Sequence, residues 1–154
     1  LSKTIFSTIE KLRKKVPNIS LRTTVMVGFP GETEKSFFKL LNDIKKLEFD
    51  WLGGFDYSAQ KGTAACKMNN LVPLKVKKER LNEIMEAQQK ITFLKNKKRV
   101  GKTFDVLTDG GKYGHCEFQS PEIDGRVIFS SGQEIGSLTK QKIIKIKNVY
   151  DLIA

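Results

Sequence analysis

The sequence predicts an α/β segment followed by a small all-β barrel, on three observations. Over residues 1–100, helical and strand-like patterns alternate as helix, strand, helix, strand, helix. From Gly101 onward there is no helical stripe, only short alternating runs punctuated by Gly-Gly, Pro-Glu and Ser-Ser-Gly. The charge changes at the same place. Residues 1–100 carry 21 Lys+Arg against 10 Asp+Glu, whereas residues 101–154 carry seven of each. The expected division is an α/β part over 1–100 that includes its last helix, and a barrel over 101–154, with the junction within Val100–Lys102.

Each element has its own signal. Ile5, Ile9, Leu12 and Val16 recur at helical spacing, so a helix is expected over 3–15, ended by Pro17-Asn18. Residues 19–27 are apolar and β-branched enough for a buried strand, apart from Arg22. Burying that charge unpaired would be costly, so Arg22 either meets a carboxylate or faces a polar cavity. "VGFPGET" (27–33) then turns sharply, with two glycines and a proline in four residues. Such a loop either lets backbone approach a ligand or simply turns a corner. Glu32 suits the positive end of the following helix, and Thr33 suits its N-cap. Phe37, Leu40, Leu41, Ile44 and Leu47 stripe a helix across 34–48.

"WLGGFDYS" (51–58) reads as the second strand. Residues 59–73 form an aperiodic loop, long for a connection. Leu81, Ile84, Met85, Gln88, Ile91 and Leu94 trace one face of a helix from about 75 to 99, whose other face is largely lysine. "KTFDVLTD", "YGHCEF", "GRVIFSS" and "KQKIIKIKNV" supply strands for a five-stranded barrel. A unit this small is marginal alone and is expected to pack on the preceding helix.

Composition excludes several classes. Hydrophobic residues make up 39% and charged residues 29% of 154, an ordinary globular balance. No apolar run approaches the roughly 20 residues of a membrane span, and no signal-peptide pattern is present. Cys66 and Cys116 lie far apart without a C-x-x-C spacing, so they read as free thiols of a cytoplasmic protein. His115 and Cys116 are adjacent and would point to opposite faces of a strand, which argues against a catalytic pair. The net charge of +11 invites RNA, but solvated helix faces at Lys11–Lys15, Lys75–Arg80 and Lys95–Arg99 account for it equally well.

Four stretches in fixed order carry a resemblance: "VGFPGETEKSF", "FDYSAQKGTAA", "VKKERLNEIMEAQQKI" and "VGKTFDVLTDG". Together they resemble the radical S-adenosylmethionine methylthiotransferases, which end in a TRAM barrel. One branch modifies transfer RNA (MiaB-like) and another a ribosomal protein (RimO-like). "LRTT", "SPEIDGRVIF" and the terminal "YDL" look like the RimO-like branch. A stand-alone basic RNA-binding module is the rival from another class. The barrel's zero net charge argues against both RNA readings, because phosphate binding needs clustered Lys and Arg.

The resemblance implies the C-terminal part of a radical-SAM partial (βα) barrel joined to a TRAM barrel. The parent would add a methylthio group to the β-carbon of an aspartate in small-subunit ribosomal protein twelve, using S-adenosylmethionine and two 4Fe-4S clusters. The family's six cluster cysteines have no counterpart here, so metal ligands are expected outside this chain, which would be inactive alone. By resemblance, Arg22, Val25, Val27, Gly28, Phe29, Tyr57 and Ser58 would border the S-adenosylmethionine cavity, mostly through backbone. The acids Glu117, Glu122 and Asp124 would face the ribosomal protein, and RNA binding by the barrel is not expected. Gly114-His115 and Gln119 depart from the family's usual Gly-Arg and aspartate, as does the end at "YDLIA".

Overall fold

The computed structural model describes residues 3–154. It divides into two compact units, one up to Gln88 and one from Gln89 to Ala154. Among the described residues no helix is long and apolar enough to cross a membrane.

The first unit begins with α1 (Lys3–Lys15), which runs over the span its apolar spacing predicts. Its stripe is weakly used: Ile9 is buried, whereas Ile5, Leu12 and Val16 stay exposed. Strand β1 (Arg22–Val27) starts three residues later than expected and pairs in parallel with β2 (Trp51–Asp56), Arg22 opposite Trp51 and Val27 opposite Asp56. It is not buried on both faces. Val25 and Val27 are buried, while Arg22, Thr24 and Met26 are exposed. Helix α2 (Glu34–Leu47) connects the strands. It opens with a capping box: the Ser36 amide donates to the Thr33 hydroxyl, and the Thr33 amide donates to the Ser36 hydroxyl. It closes on Glu48 in the left-handed region, and the Arg13 guanidinium donates to the carbonyls of Leu47 and Glu48. Phe37, Leu41, Ile44 and Leu47 face the core.

Helix α3 (Leu74–Arg99) is continuous, yet the two units part within it. In its first part, Ile84, Ala87 and Gln88 are buried, and Leu81 and Met85 lie against Gly54 of β2. A Cβ on Gly54 would sit 2.8 Å from Leu81 Cδ1 and 3.4 Å from Met85 Sδ, so these helix side chains lie directly on the strand backbone there. In its second part the buried positions are Thr92 and Asn96, not Leu94, which is exposed. The Asn96 amide donates to the Val149 carbonyl at 2.9 Å and its oxygen accepts from Arg99 at 2.7 Å. Arg99 in turn lies 3.9 Å over the Phe118 ring. The hydrophobic period changes at 100–102, while the packing boundary falls earlier, where polar residues take over the helix's buried face.

The second unit is a curled sheet of six strands rather than five, in the order β6-β3-β4-β5-β8-β7. These are β3 (Thr103–Gly110), β4 (Tyr113–Cys116), β5 (Val127–Ile128), β6 (Leu138–Lys142), β7 (Lys145–Ile146) and β8 (Leu152–Ile153). The extra strand arises because "KQKIIKIKNV" is not one strand. Ile143 is fully buried and its amide donates to the Lys102 carbonyl, whereas the next amide, Ile144, donates to Ile153. The chain therefore leaves β3 and crosses to β8 between these two residues. Val106, Cys116, Val127, Ile143 and Leu152 form the core.

Candidate functional site

In the first unit the expected site residues gather around the C-terminal end of β1, except Arg22, which begins the strand opposite Trp51 and lies at its other end. Gly28 and Gly31 both take positive φ, 72° and 86°. Glu32 does more than suit a helix end. Its carboxylate accepts the Gly28 amide at 3.0 Å and the Arg80 guanidinium at 2.6 Å. Both partners of that ion pair are nearly buried, so the pair is worth keeping only because its hydrogen bonds are met. The Gly31 amide donates to the Asn70 carbonyl and the Tyr57 amide to the Val27 carbonyl, which fastens the turn to its neighbours. A Cβ on Gly28 would lie 2.4 Å from Lys77 Cγ. Gly28 is therefore glycine for its φ and for the passage of Lys77, whose ammonium reaches the Tyr57 carbonyl at 2.7 Å.

Side-chain directions divide the expected residues. Val25 and Val27 point into the core, so only their backbone can meet a ligand. Phe29 and Ser58 are exposed, and Arg22 stands on the exposed side of β1 with Thr24 and Met26. Tyr57 is buried with its ring edge-on to Phe29 at 5.3 Å. Its hydroxyl is buried with no hydrogen-bond partner among the described residues. That orphan and the exposed Phe29 ring suit a ligand with an aromatic face and polar groups, as an adenosyl group has. Arg80 and Lys77 were not singled out as site residues. Within a lysine-rich helix, nothing local marks them.

No group of three or more His, Cys, Asp or Glu among the described residues could hold a metal ion. Cys66 is exposed and Cys116 is fully buried. Burial pushes the Cys116 thiol up to about 12, the opposite of what a thiolate ligand needs. Iron–sulfur clusters do not fit this chain.

In the second unit the three expected acids separate. Glu117 and Glu122 are exposed, but Asp124 is buried. The Asp124 carboxylate accepts the Ser120 amide at 2.8 Å, and its own amide donates back to the Ser120 carbonyl. Asp124 thus clasps the 120–124 turn and cannot serve as a surface acid. Gln119 is tied too: its oxygen accepts the Cys116 amide at 3.0 Å, while its buried amide nitrogen has no partner among the described residues. His115 turns away from Cys116, its Nδ1 2.7 Å and 2.9 Å from the Asp109 carboxylate oxygens. Lys145 and Lys147 do not form a regular strand face, because β7 ends at Ile146.

Residues 100–154 match the TRAM domain family. The chain is 41% identical over 97% of its length to a ribosomal protein uS12 methylthiotransferase RimO of Clostridium botulinum. It is 42% identical over 98% to that of Carboxydothermus hydrogenoformans and 40% identical over 95% to that of Trichlorobacter lovleyi. It spans about a third of the length of these curated relatives. Along nearly its whole length, then, the chain matches a C-terminal, TRAM-bearing segment of the RimO-like methylthiotransferases.

Proposed function

We propose that this chain is the C-terminal portion of a RimO-like transferase that adds a methylthio group to the β-carbon of an aspartate in ribosomal protein uS12. The observation that carries this reading is the identity of about 41% to RimO proteins over 97% of the chain. In the parent, S-adenosylmethionine with one 4Fe-4S cluster would supply the radical that breaks an unactivated C–H bond, and the second cluster would serve sulfur insertion. The clusters bind outside this chain. Its α/β unit is the end of a radical-SAM partial barrel. The Gly28–Glu32 turn, held by Arg80, presents the backbone of Val25–Phe29 together with Phe29, Tyr57 and Ser58 to the adenosyl group, with Arg22 on the exposed side of the same strand. The second unit faces the protein substrate through Glu117 and Glu122, in the cytoplasm, where ribosomes are.

Binding of the chain to uS12 and to transfer RNA, measured across a salt series, tests the substrate. Binding to uS12 with weak RNA binding is expected. Tight RNA binding that weakens steeply with salt would promote the transfer-RNA branch instead. Anaerobic incubation of the chain with iron, sulfide, reductant and S-adenosylmethionine is expected to yield no deoxyadenosine, and its formation would refute the assignment of the clusters elsewhere.

A further inference from the structure

The second unit contains a cavity of about 120 Å³ bordered by Asp109, Tyr113, His115, Glu122, Gly125 and Arg126. That is below the roughly 300–1,000 Å³ of pockets that enclose drug-sized ligands, so it suits the head of one side chain rather than a nucleotide. Its charges are arranged unusually. Asp109 is engaged with His115 Nδ1. The Arg126 guanidinium lies 4.4 Å over the Tyr113 ring and meets no carboxylate among the described residues, while its backbone amide donates to the Asp151 carboxylate at 2.9 Å. Glu122 borders the same cavity, yet has no ion pair or hydrogen bond there among the described residues. Two opposite charges share one cavity without closing on each other.

The turn that carries Glu122 is fixed by its backbone. Glu122 sits at φ 65°, a left-handed conformation that disfavours a side chain with a Cβ. The Asp124 clasp on Ser120 fixes the turn, and Gly125, at φ 86°, lets the Tyr150 carbonyl pack where a Cβ would be. Residues held in such conformations cluster at ligand clamps. Two carboxylates, Asp109 and Glu122, share the lining with one guanidinium, Arg126.

We propose that this cavity receives a lysine or arginine side chain of a protein partner. Glu122 takes the cationic head, the Tyr113 ring flanks its alkyl stem, and Arg126 donates to the partner's main-chain carbonyl. His115, its Nδ1 engaged by Asp109, forms the wall beside them. This rests on the reading that the second unit faces protein.

The test is amide and side-chain NMR of the whole 154-residue chain. The probes are N-acetyl-arginine amide, N-acetyl-lysine amide, N-acetyl-glycine amide and inorganic phosphate. Saturable shifts at His115, Gly125 and Tyr113 with a basic probe, absent with the glycine probe, are expected. Glu122→Gln should weaken that binding about fivefold, the scale of one exposed ion pair. No such shifts up to about 100 mM, two decades above a millimolar Kd, would overturn the proposal, as would shifts with phosphate alone or an unaltered Glu122→Gln response. In parallel, uS12 binding should weaken in the same variant. A basic probe that binds while uS12 does not would keep the cavity and discard the substrate reading. Binding of uS12 that ignores Glu122→Gln would do the reverse.

Discussion

Glu32 and Glu122 both stand at tight turns, one in each unit, and the protein treats them oppositely. Glu32 is nearly buried and satisfied twice, by the Gly28 amide and by Arg80. Glu122 is exposed, holds a left-handed backbone and has no partner among the described residues. The first spends its charge on fixing a loop. The second keeps its charge available at a conformational cost. The difference teaches that a carboxylate's role is legible from what satisfies it rather than from the loop it occupies.

The comparison can be broken or sharpened by substitution. The largest expected effect is Gly125→Ala beside Glu122. It adds about 1–2 kcal/mol for the left-handed backbone and about 1–3 kcal/mol for overpacking against the Tyr150 carbonyl, which cannot move aside easily. Urea denaturation should show the sum. In the first unit, Glu32→Gln keeps an acceptor for the Gly28 amide but leaves the Arg80 charge uncompensated. A loss of about 3 kcal/mol is expected by the same measurement, against under about 0.5 kcal/mol for Glu122→Gln. Equal effects of the two would erase the contrast.

Gly28→Ala should cost more than the roughly 1–2 kcal/mol of a left-handed backbone alone, because its Cβ would meet Lys77 Cγ at 2.4 Å, near the root of a side chain whose ammonium is held by the Tyr57 carbonyl. Glu122→Gly should be mildly stabilising, by up to about 1 kcal/mol, since it relieves the left-handed strain. A destabilised variant would mean that the turn needs the side chain.

The smallest effect concerns pH. Asp43 is nearly buried, which raises its carboxyl, but hydrogen bonding, including that from Lys39 at 2.8 Å, and charge attraction hold it below the ordinary value. A depressed carboxyl contributes stability above the ordinary carboxylate pKa of about 4, and that contribution is lost as pH falls through the folded value. Asp43→Asn should therefore show a shallower acid loss of stability than the unaltered chain, as followed by circular dichroism.

Much of the fold could be read from the residues. Period and caps marked α1, the Thr33 cap and the start of α3, because local geometry alone decides them. Arg80 and Lys77 escaped notice because their importance depends on Glu32 and Tyr57, which are remote in sequence. Asp124 looked like a surface acid because composition cannot tell which carboxylate of a turn folds back on its own backbone. The break at Ile143-Ile144 was hidden inside a continuous β-like run, where only strand pairing reveals the crossover. Thr92 and Asn96 leave no mark in the apolar stripe, because the side chains they bury are polar.

Helix α3 gives the family boundary a further meaning. The TRAM match begins at residue 100, yet Thr92, Asn96 and Arg99 already belong to the interior of the second unit. A gene segment that begins at residue 100 would travel without the amide that meets the Val149 carbonyl and without the guanidinium over Phe118. Any recipient chain would have to end in a helix offering equivalent groups at matching turns. The family match and the compact unit thus differ by residues 89–99, about three helical turns, which favours transplanting this barrel together with its leading helix.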